Sequence, residues 1–255
     1  MGNINLSDRM EAVVSMVSSQ SFAVADVGCD HAYVSIALVR RKIASRVIAM
    51  DVRKGPLAIA CDNVTTAGLE REIDLRLGDG LEKLIPGEVD TVIIAGMGGL
   101  LIKSILERGR HILDIGVKRP VLILQPQSDL SEVRIFLYHC AYHIVREKML
   151  LEDGKYYTVM RAEPCSEETA HQEAAEYTPA DWCYGMDNLK RQDRVLYTYL
   201  QREGSNLREV SSRLADEIKR SRDSGKEPSP RIQERWGTLQ ENIQVNEEAL
   251  ENYRL

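Results

Sequence analysis

The sequence lacks the features that mark exported, disulfide-stabilised and membrane proteins. Its five cysteines, an odd number, include no CxxC pair, so we expect a reducing compartment, no disulfide framework and no bound metal. The first twenty residues have no basic start, long apolar run or small-residue cleavage site. The longest apolar stretch, residues 92–102, has about half the length of a membrane span and contains three glycines. These absences predict a cytoplasmic protein with no membrane partner.

An overall excess of basic charge is also missing, since 33 Lys and Arg stand against 39 Asp and Glu. The deficit comes from residues 163–187, which hold seven acidic residues and no basic one, whereas residues 1–162 hold twenty of each sign. Residues 190–235 carry twelve basic residues against eight acidic ones. This local excess suits a surface that faces phosphates, and it equally suits the solvated face of a coiled coil.

Short runs rich in Val and Ile alternate with helical spacing through the first 163 residues. Five runs bounded by Gly, Asp or Pro predict buried parallel strands: FAVADVG, RVIAMDV, IDLRLGDG, VDTVIIAG and PVLILQP. Two more strands, near 143–151 and 156–163, flank an Asp-Gly turn and predict a β-hairpin. An open parallel sheet closed by an antiparallel hairpin is typical of the class I methyltransferases, which are Rossmann-like α/β proteins with a seven-stranded sheet.

The chain divides into three predicted parts. Residues 1–163 form the methyltransferase-like domain, 164–186 an acidic connecting segment, and 187–255 an antiparallel coiled-coil helical domain. The last part rests on two heptad-like apolar stripes separated by RDSGKEPSPR, which contains two prolines and a glycine. We expect Gly204 to break or kink the first of these helices, and Asn246 to set the register at a seam position.

The stretch DVGCDHAYV, residues 26–34, lies where a nucleotide-binding turn is expected, but it holds one glycine instead of three. Asp26 ends the first strand, and Gly28 permits the sharp turn. Asp30 takes the place of the second glycine, where its carboxylate would repel a pyrophosphate and attract a cationic sulfonium or ammonium group. The loop therefore predicts a positively charged cofactor such as S-adenosylmethionine, with a plain strand-ending turn as the alternative.

Three more strand ends carry residues suited to a cofactor. Asp51 ends the second strand, where an acidic residue can accept hydrogen bonds from ribose hydroxyls. This position fits an NAD site equally well. Asp79 and Gly80 follow the third strand, where a carboxylate could accept a hydrogen bond from an adenine amino group. Gly96 and Met97 end the fourth strand and would let a ligand approach closely. At each position alone, turn formation or packing is the alternative.

Six stretches carry a family resemblance: ADVGCDHAYVSIAL, AMDV, LGDGL, IIAGMGG, LILQPQSD and EDGKYYTV. With them, and with the helical hairpin that follows, the chain resembles the bacterial tRNA (adenine-22-N1)-methyltransferases, the TrmK family. The resemblance implies a class I fold, S-adenosylmethionine as the methyl donor, and tRNA bound between the catalytic domain and the coiled coil. The donor site that it implies comprises Asp26, Gly28, Asp30, His31, Asp51, Asp79, Gly80, Gly96 and Met97.

No residue stands out as a general base. Adenine N1 already has an available lone pair, so orientation of the reactants should dominate catalysis. Asp30 is the candidate catalytic residue, because a carboxylate would stabilise the positive charge that develops on the ring. Its alternative role is to cap the next helix. The candidate tRNA contacts are Arg9, Gln125, Gln127, Arg191 and Arg194.

Other interpretations stay open. One is a class I methyltransferase that acts on another RNA, a protein or a small molecule. Another is a non-catalytic adaptor built on a degenerate methyltransferase domain. An NAD-dependent oxidoreductase is disfavoured by the hairpin and by Asp30. Nothing in the sequence requires an oligomer.

Overall fold

The computed structural model describes residues 5–19, 21–114, 119–224 and 227–253. The chain divides into two compact units, Met1–Glu176 and Tyr177–Leu255. Among the helices of the described ranges, none has both the length and the apolar character needed to cross a bilayer.

The first unit contains a seven-stranded sheet. Its strands are β1 (Ser21–Val27), β2 (Ala44–Asp51), β3 (Ile73–Leu77), β4 (Thr91–Met97), β5 (Val121–Pro126), β6 (Tyr142–Glu152) and β7 (Lys155–Pro164). They lie in the order β3-β2-β1-β4-β5-β7-β6. The first five are parallel, whereas β7 is antiparallel to both β5 and β6. The predicted class I methyltransferase sheet with its closing hairpin is confirmed.

The β6–β7 turn shows why the hairpin was predictable. Asp153 and Gly154 both have positive φ, 49° and 76°. A two-residue loop of this kind matches the twist of the strands that it joins, and Asp-Gly favours it strongly. The two strands are therefore connected with no room for a helix between them.

Helices surround this sheet. They are α1 (Asp8–Ser15), α2 (Tyr33–Arg40), α3 (Lys54–Ala67), α4 (Gly99–Arg108), α5 (Arg110–Leu113), α6 (Leu130–His139) and α7 (Glu167–Ala175). Ser7 caps α1 through its side chain, and Gly68 ends α3 at φ 68°. Successive strand residues enter different apolar clusters, as Ile93 and Ile94 do. The central strands are thus buried on both faces, which explains their continuous apolar runs.

Helix α7 belongs to the first unit, although we predicted a connecting segment over 164–186. Ala170 is buried, and the Glu173 carboxylate lies 3.3 Å from Nδ1 of His143 on β6. These contacts hold the acidic stretch against the sheet domain as far as Glu176. The predicted connector is therefore shared between the two units and is not a separate part.

The described residues of the second unit form four helices: α8 (Pro179–Tyr184), α9 (Met186–Lys190), α10 (Arg194–Asp223) and α11 (Pro230–Glu251). Helices α10 and α11 run antiparallel, because Gln240 bonds Ser211 whereas Asn246 bonds the carbonyl of Leu200. Apolar residues from both stripes are buried between them, including Leu200 and Leu239.

Gly204 does not break α10, which is continuous. It makes room for Asn246 instead, since a Cβ at Gly204 would lie 2.5 Å from the Asn246 side-chain oxygen. Asn246 Nδ2 donates to the Leu200 carbonyl and to the Glu203 carboxylate, each at 3.1 Å. The expected break was wrong, because the glycine serves a contact between helices that the sequence of one helix cannot reveal.

We expect Gly204→Ala to destabilise the helical hairpin, although alanine in a helix normally gains about 1 kcal/mol over glycine. The added methyl would displace Asn246 from two hydrogen bonds. Amide hydrogen exchange in α10 reports the local free energy of opening. Gly237→Ala is the matched control, because a Cβ there meets no atom within 4 Å, so it should slow exchange. Slower exchange in Gly204→Ala as well would contradict the proposed contact.

Candidate functional site

A cavity of about 480 Å³ opens at the carboxyl ends of β3, β2, β1 and β4. Chain connectivity reverses between β1 and β4, and ligands of open α/β sheets bind at such a reversal. Its volume lies within the range of small-molecule sites. All nine residues predicted for the donor site line it: Asp26, Gly28, Asp30, His31, Asp51, Asp79, Gly80, Gly96 and Met97.

The turn after β1 is fixed by backbone bonds and by the side chain of Met97. The N–H groups of Gly28 and Cys29 both donate to the Met50 carbonyl, at 2.8 and 2.9 Å. Gly28 has φ 74°, and a Cβ on it would lie 2.3 Å from the Met97 methyl group. Only glycine fits here without moving Met97 within the cavity wall.

Asp26 is a buried carboxylate at the floor of the cavity, 5% exposed. The Ser35 hydroxyl donates to it at 2.6 Å. Burial raises the pKa of Asp26 to about 6, and the nearby Asp51 adds to the rise. No cation pairs with Asp26 among the described residues. A desolvated negative charge without a counter-ion favours a cationic ligand.

Asp51 is held at the end of β2 by two backbone donors. The N–H of Asp30 reaches one carboxylate oxygen at 3.2 Å, and the N–H of Arg53 reaches the other at 2.8 Å. Each oxygen keeps a further lone pair. Asp51 is therefore oriented and still able to accept hydrogen bonds from a ligand.

Asp30 projects from the turn with a positive φ of 49°. Its side chain is 59% exposed and lies 3.7 Å from both His31 Nε2 and Arg53 Nη2. The residue that precedes α2 is Ala32, and no side chain caps that helix. The alternative role of Asp30 as a helix cap therefore has no support in this geometry.

Asp79 is engaged by a residue that the sequence did not indicate. Arg108, at the end of α4, donates to both of its carboxylate oxygens at 2.7 and 3.3 Å. These hydrogen bonds hold the pKa of Asp79 below its usual range. Arg108 and Asp79 are 29 positions apart, so no local motif relates them.

Apolar side chains complete the lining and were also missed. Val52 is 63% exposed and Leu101 is 50% exposed, and both border the cavity. Exposed apolar groups of this kind suit the face of a flat heterocycle. The available signal was the valine that directly follows the acidic strand end in AMDV.

The predicted tRNA contacts separate into three groups. Arg9 and Gln127 line the cavity. Gln125 does not, because it is fully buried; its side-chain oxygen accepts from Arg9 and from the Gly96 N–H. A direct substrate contact by Gln125 is therefore excluded. Arg191 and Arg194 belong to the second unit, where Arg191 pairs with Asp187 at 3.1 Å and Arg194 is exposed at the start of α10.

Known proteins are similar to this chain in sequence and in fold. The family model described as a methyltransferase domain matches residues 6–160. The tRNA (adenine(22)-N(1))-methyltransferase of Bacillus subtilis is 40% identical over 171 residues, covering 67% of this chain and 70% of that protein.

The chain belongs to the tRNA (adenine(22)-N1)-methyltransferase family, TrmK.

Two solved structures extend the similarity over both units. The crystal structure of B. subtilis TrmK has a TM-score of 0.82 at 29% identity, covering 97% of this chain and all of that chain. The structure of Streptococcus pneumoniae Sp1610 in complex with S-adenosyl-L-methionine has a TM-score of 0.78 at 31% identity, covering 96% and 100%. The protein is thus an S-adenosylmethionine-dependent methyltransferase of the TrmK family.

The charge of the cavity fits S-adenosylmethionine. Asp26, Asp30 and Asp51 provide carboxylates in the cavity lining, and S-adenosylmethionine carries a cationic sulfonium and an α-ammonium group. The wall has no run of glycines to hold a pyrophosphate, and Asp30 stands where the second would be. These residues agree with the cofactor of the family.

We expect the affinity of the protein for its methyl donor to depend on the ionisation of Asp26. A cationic donor favours the carboxylate, so the dissociation constant should stay flat above about pH 7 and rise by up to about tenfold per unit below about pH 6. Calorimetric titration of S-adenosylmethionine between pH 5 and 8 measures this. Asp26→Asn should bind S-adenosylmethionine weakly, and its dissociation constant should not rise below pH 6. If the rise persists in this variant, another group causes it.

Asp26→Asn should also stabilise the donor-free protein at pH 7.5. The native state takes up this proton near pH 6 and the unfolded chain near its ordinary value of 3.8, so the ionised carboxylate destabilises the fold above about pH 6. That penalty disappears as the pH falls toward 4. Thermal unfolding of the two proteins at pH 7.5 and 4.5 should show a stability gain that shrinks with acid.

Gly28→Ala should weaken donor binding at least tenfold, because its Cβ would push Met97 into the cavity and its φ would be strained. Gly68→Ala is the matched control: Gly68 has a similar φ of 68° and no atom within 4 Å of the added Cβ. Both variants should lose some thermal stability, and only Gly28→Ala should lose donor affinity. Equal donor affinities would rule out the coupling between Gly28 and Met97.

Proposed function

We propose that this protein transfers the methyl group of S-adenosylmethionine to N1 of adenosine 22 in tRNA. The observation that carries the proposal is the carboxylate-lined cavity at the ends of β1 and β2, in a chain of the TrmK family. The cavity supports a cationic donor, and the B. subtilis relative is named for the tRNA reaction.

Three carboxylates would bind different groups of the donor. Asp26 supplies buried negative charge, and Asp51 offers fixed acceptors to ribose hydroxyls. Asp79, oriented by Arg108, lies on the β3 side, where it would accept from an adenine amino group. Val52 and Leu101 would cover the faces of that ring. Bound S-adenosylmethionine supplies an electrophilic methyl group.

Asp30 is the proposed catalytic residue. It is exposed, and the Arg53 guanidinium and the His31 imidazole each lie 3.7 Å away, so its charge is only partly compensated. Adenine becomes cationic when N1 is methylated, and a carboxylate beside it lowers the energy of that developing charge. The lone pair of N1 needs no prior proton removal, so the role of the chain is to position the base and stabilise the charge.

The tRNA must present a base that is stacked or paired in the folded molecule. Extruding such a base costs a few kcal/mol, which contacts with the RNA backbone have to offset. Gln127 is exposed at the cavity, and its N–H is anchored on the Met97 carbonyl at 2.9 Å, so we assign it to the target nucleotide. Arg191 and Arg194 are the proposed backbone contacts of the second unit. The cytoplasmic location remains a prediction.

The test is transfer of labelled methyl to unmodified tRNA that carries adenosine or guanosine at position 22. We expect label only with adenosine, and mass spectrometry of the digested product should identify 1-methyladenosine. Equal labelling of both tRNAs would indicate another target nucleotide. Donor binding without label in either tRNA would overturn the tRNA reaction and favour a different acceptor.

A further inference from the structure

Arg9 is built into the cavity wall instead of extending into solvent. It lies in the first turn of α1, and its side chain is 23% exposed. Its Nη1 donates to the Gln125 side-chain oxygen at 2.9 Å. Its guanidinium carbon lies 5.3 Å from the centre of the Tyr157 ring. A surface arginine would not need this support.

Glu152 fixes the backbone of Arg9 more than it neutralises the side chain. One carboxylate oxygen accepts from the Arg9 N–H at 2.9 Å, and the other lies 3.7 Å from Nε. Gln125, the hydrogen-bonding partner of the guanidinium, is neutral. Within the described residues, Nη2 makes no hydrogen bond. The guanidinium is therefore only partly neutralised by Glu152 and keeps N–H donors at the cavity.

The end of β4 lies against this guanidinium. A Cβ on Gly96 would lie 3.4 Å from Arg9 Nη1, at ordinary contact distance, and Gly96 itself has a positive φ of 78°. The same Gly96 donates its N–H to the oxygen of Gln125 that binds Arg9, at 3.1 Å. Gln125 thus joins β4 to Arg9 and sets their relative position.

The sign of the charge indicates the ligand. The donor is cationic, and the adenine ring becomes cationic during the reaction, so a guanidinium would oppose both. The anionic groups of the nucleic-acid substrate are its phosphates, and Arg binds phosphate through several charge-assisted hydrogen bonds.

We propose that Arg9 binds a phosphodiester that flanks the target adenosine, and that Gln125 and Glu152 are positioning residues for it. The assignment rests on the proposed tRNA reaction and places the target nucleotide on the β4 side of the cavity, beside Gly96. The carboxylates of Asp26 and Asp51 then serve the donor on the β1 and β2 side.

The first test uses Arg9→Gln in the full chain. The dissociation constant of S-adenosylmethionine should stay within about twofold, which also shows that the variant folds. The kcat/KM for unmodified tRNA should fall about 10- to 100-fold, the range for losing a hydrogen bond to a charged group. Arg46→Gln is the control, because Arg46 pairs with Asp74 near the start of β2, outside the cavity lining. It should change neither value.

The second test alters the RNA and leaves the protein intact. A neutral methylphosphonate replaces the phosphate on the 5′ side of adenosine 22 in one tRNA and the phosphate on its 3′ side in another. One of these should reduce kcat/KM of the unaltered enzyme about 10- to 100-fold and have little further effect on Arg9→Gln. Equal losses in both enzymes would overturn the phosphate assignment.

The two proposals fail separately. If the unaltered enzyme binds the donor and transfers no methyl to unmodified tRNA, the proposed reaction and this assignment both fall. If transfer occurs and Arg9→Gln retains full kcat/KM, the assignment alone is wrong and Arg9 only braces α1 against β5 and the hairpin.

Discussion

The buried charge of Asp26 is the constraint on which the site depends. A carboxylate that is removed from water, without a cation beside it, raises the energy of the native state until a positive ligand arrives. The carboxyl ends of parallel strands lie at the same edge of the sheet, so the fold places Asp51 beside Asp26, and Arg53, 3.5 Å from Asp51, only partly offsets the added negative charge. The buried carboxylate thus lowers the stability of the donor-free protein and increases its affinity and selectivity for a cationic donor.

The β4 side of the cavity carries a positive charge. Arg9 reaches the β4 side of the cavity from α1, and Gln125 and Glu152 hold it there. The β1 and β2 side carries three carboxylates against one guanidinium, that of Arg53, and the β4 side carries Arg9, so the cavity can orient two ligands of opposite charge. Donor and nucleotide would then approach each other from the sides that their charges select.

Local patterns in the sequence were sufficient for the sheet and for the strand ends. The Asp-Gly hairpin follows from backbone geometry within a few positions, and the residues predicted for the donor site line one cavity because parallel strands end at the same edge of the sheet. The pairs Arg9 with Gln125, Asp79 with Arg108, and Gly204 with Asn246 did not follow, because they join residues that are distant in the sequence. Gln125 was assigned to the substrate because its strand-end position is visible in the sequence and its complete burial is not.

The same long-range contacts explain why the glycines of this chain are not interchangeable. Gly28 leaves space for the Met97 methyl group, whereas Gly96 is favoured by its positive φ of 78°. A dinucleotide fingerprint uses its glycines to admit a pyrophosphate; here Gly28 admits a side chain of the protein that shapes the cavity. The loss of two of the three fingerprint glycines is therefore compatible with a working cofactor loop, since the ligand it is built for brings no phosphate and the remaining glycine meets a steric demand of the chain itself.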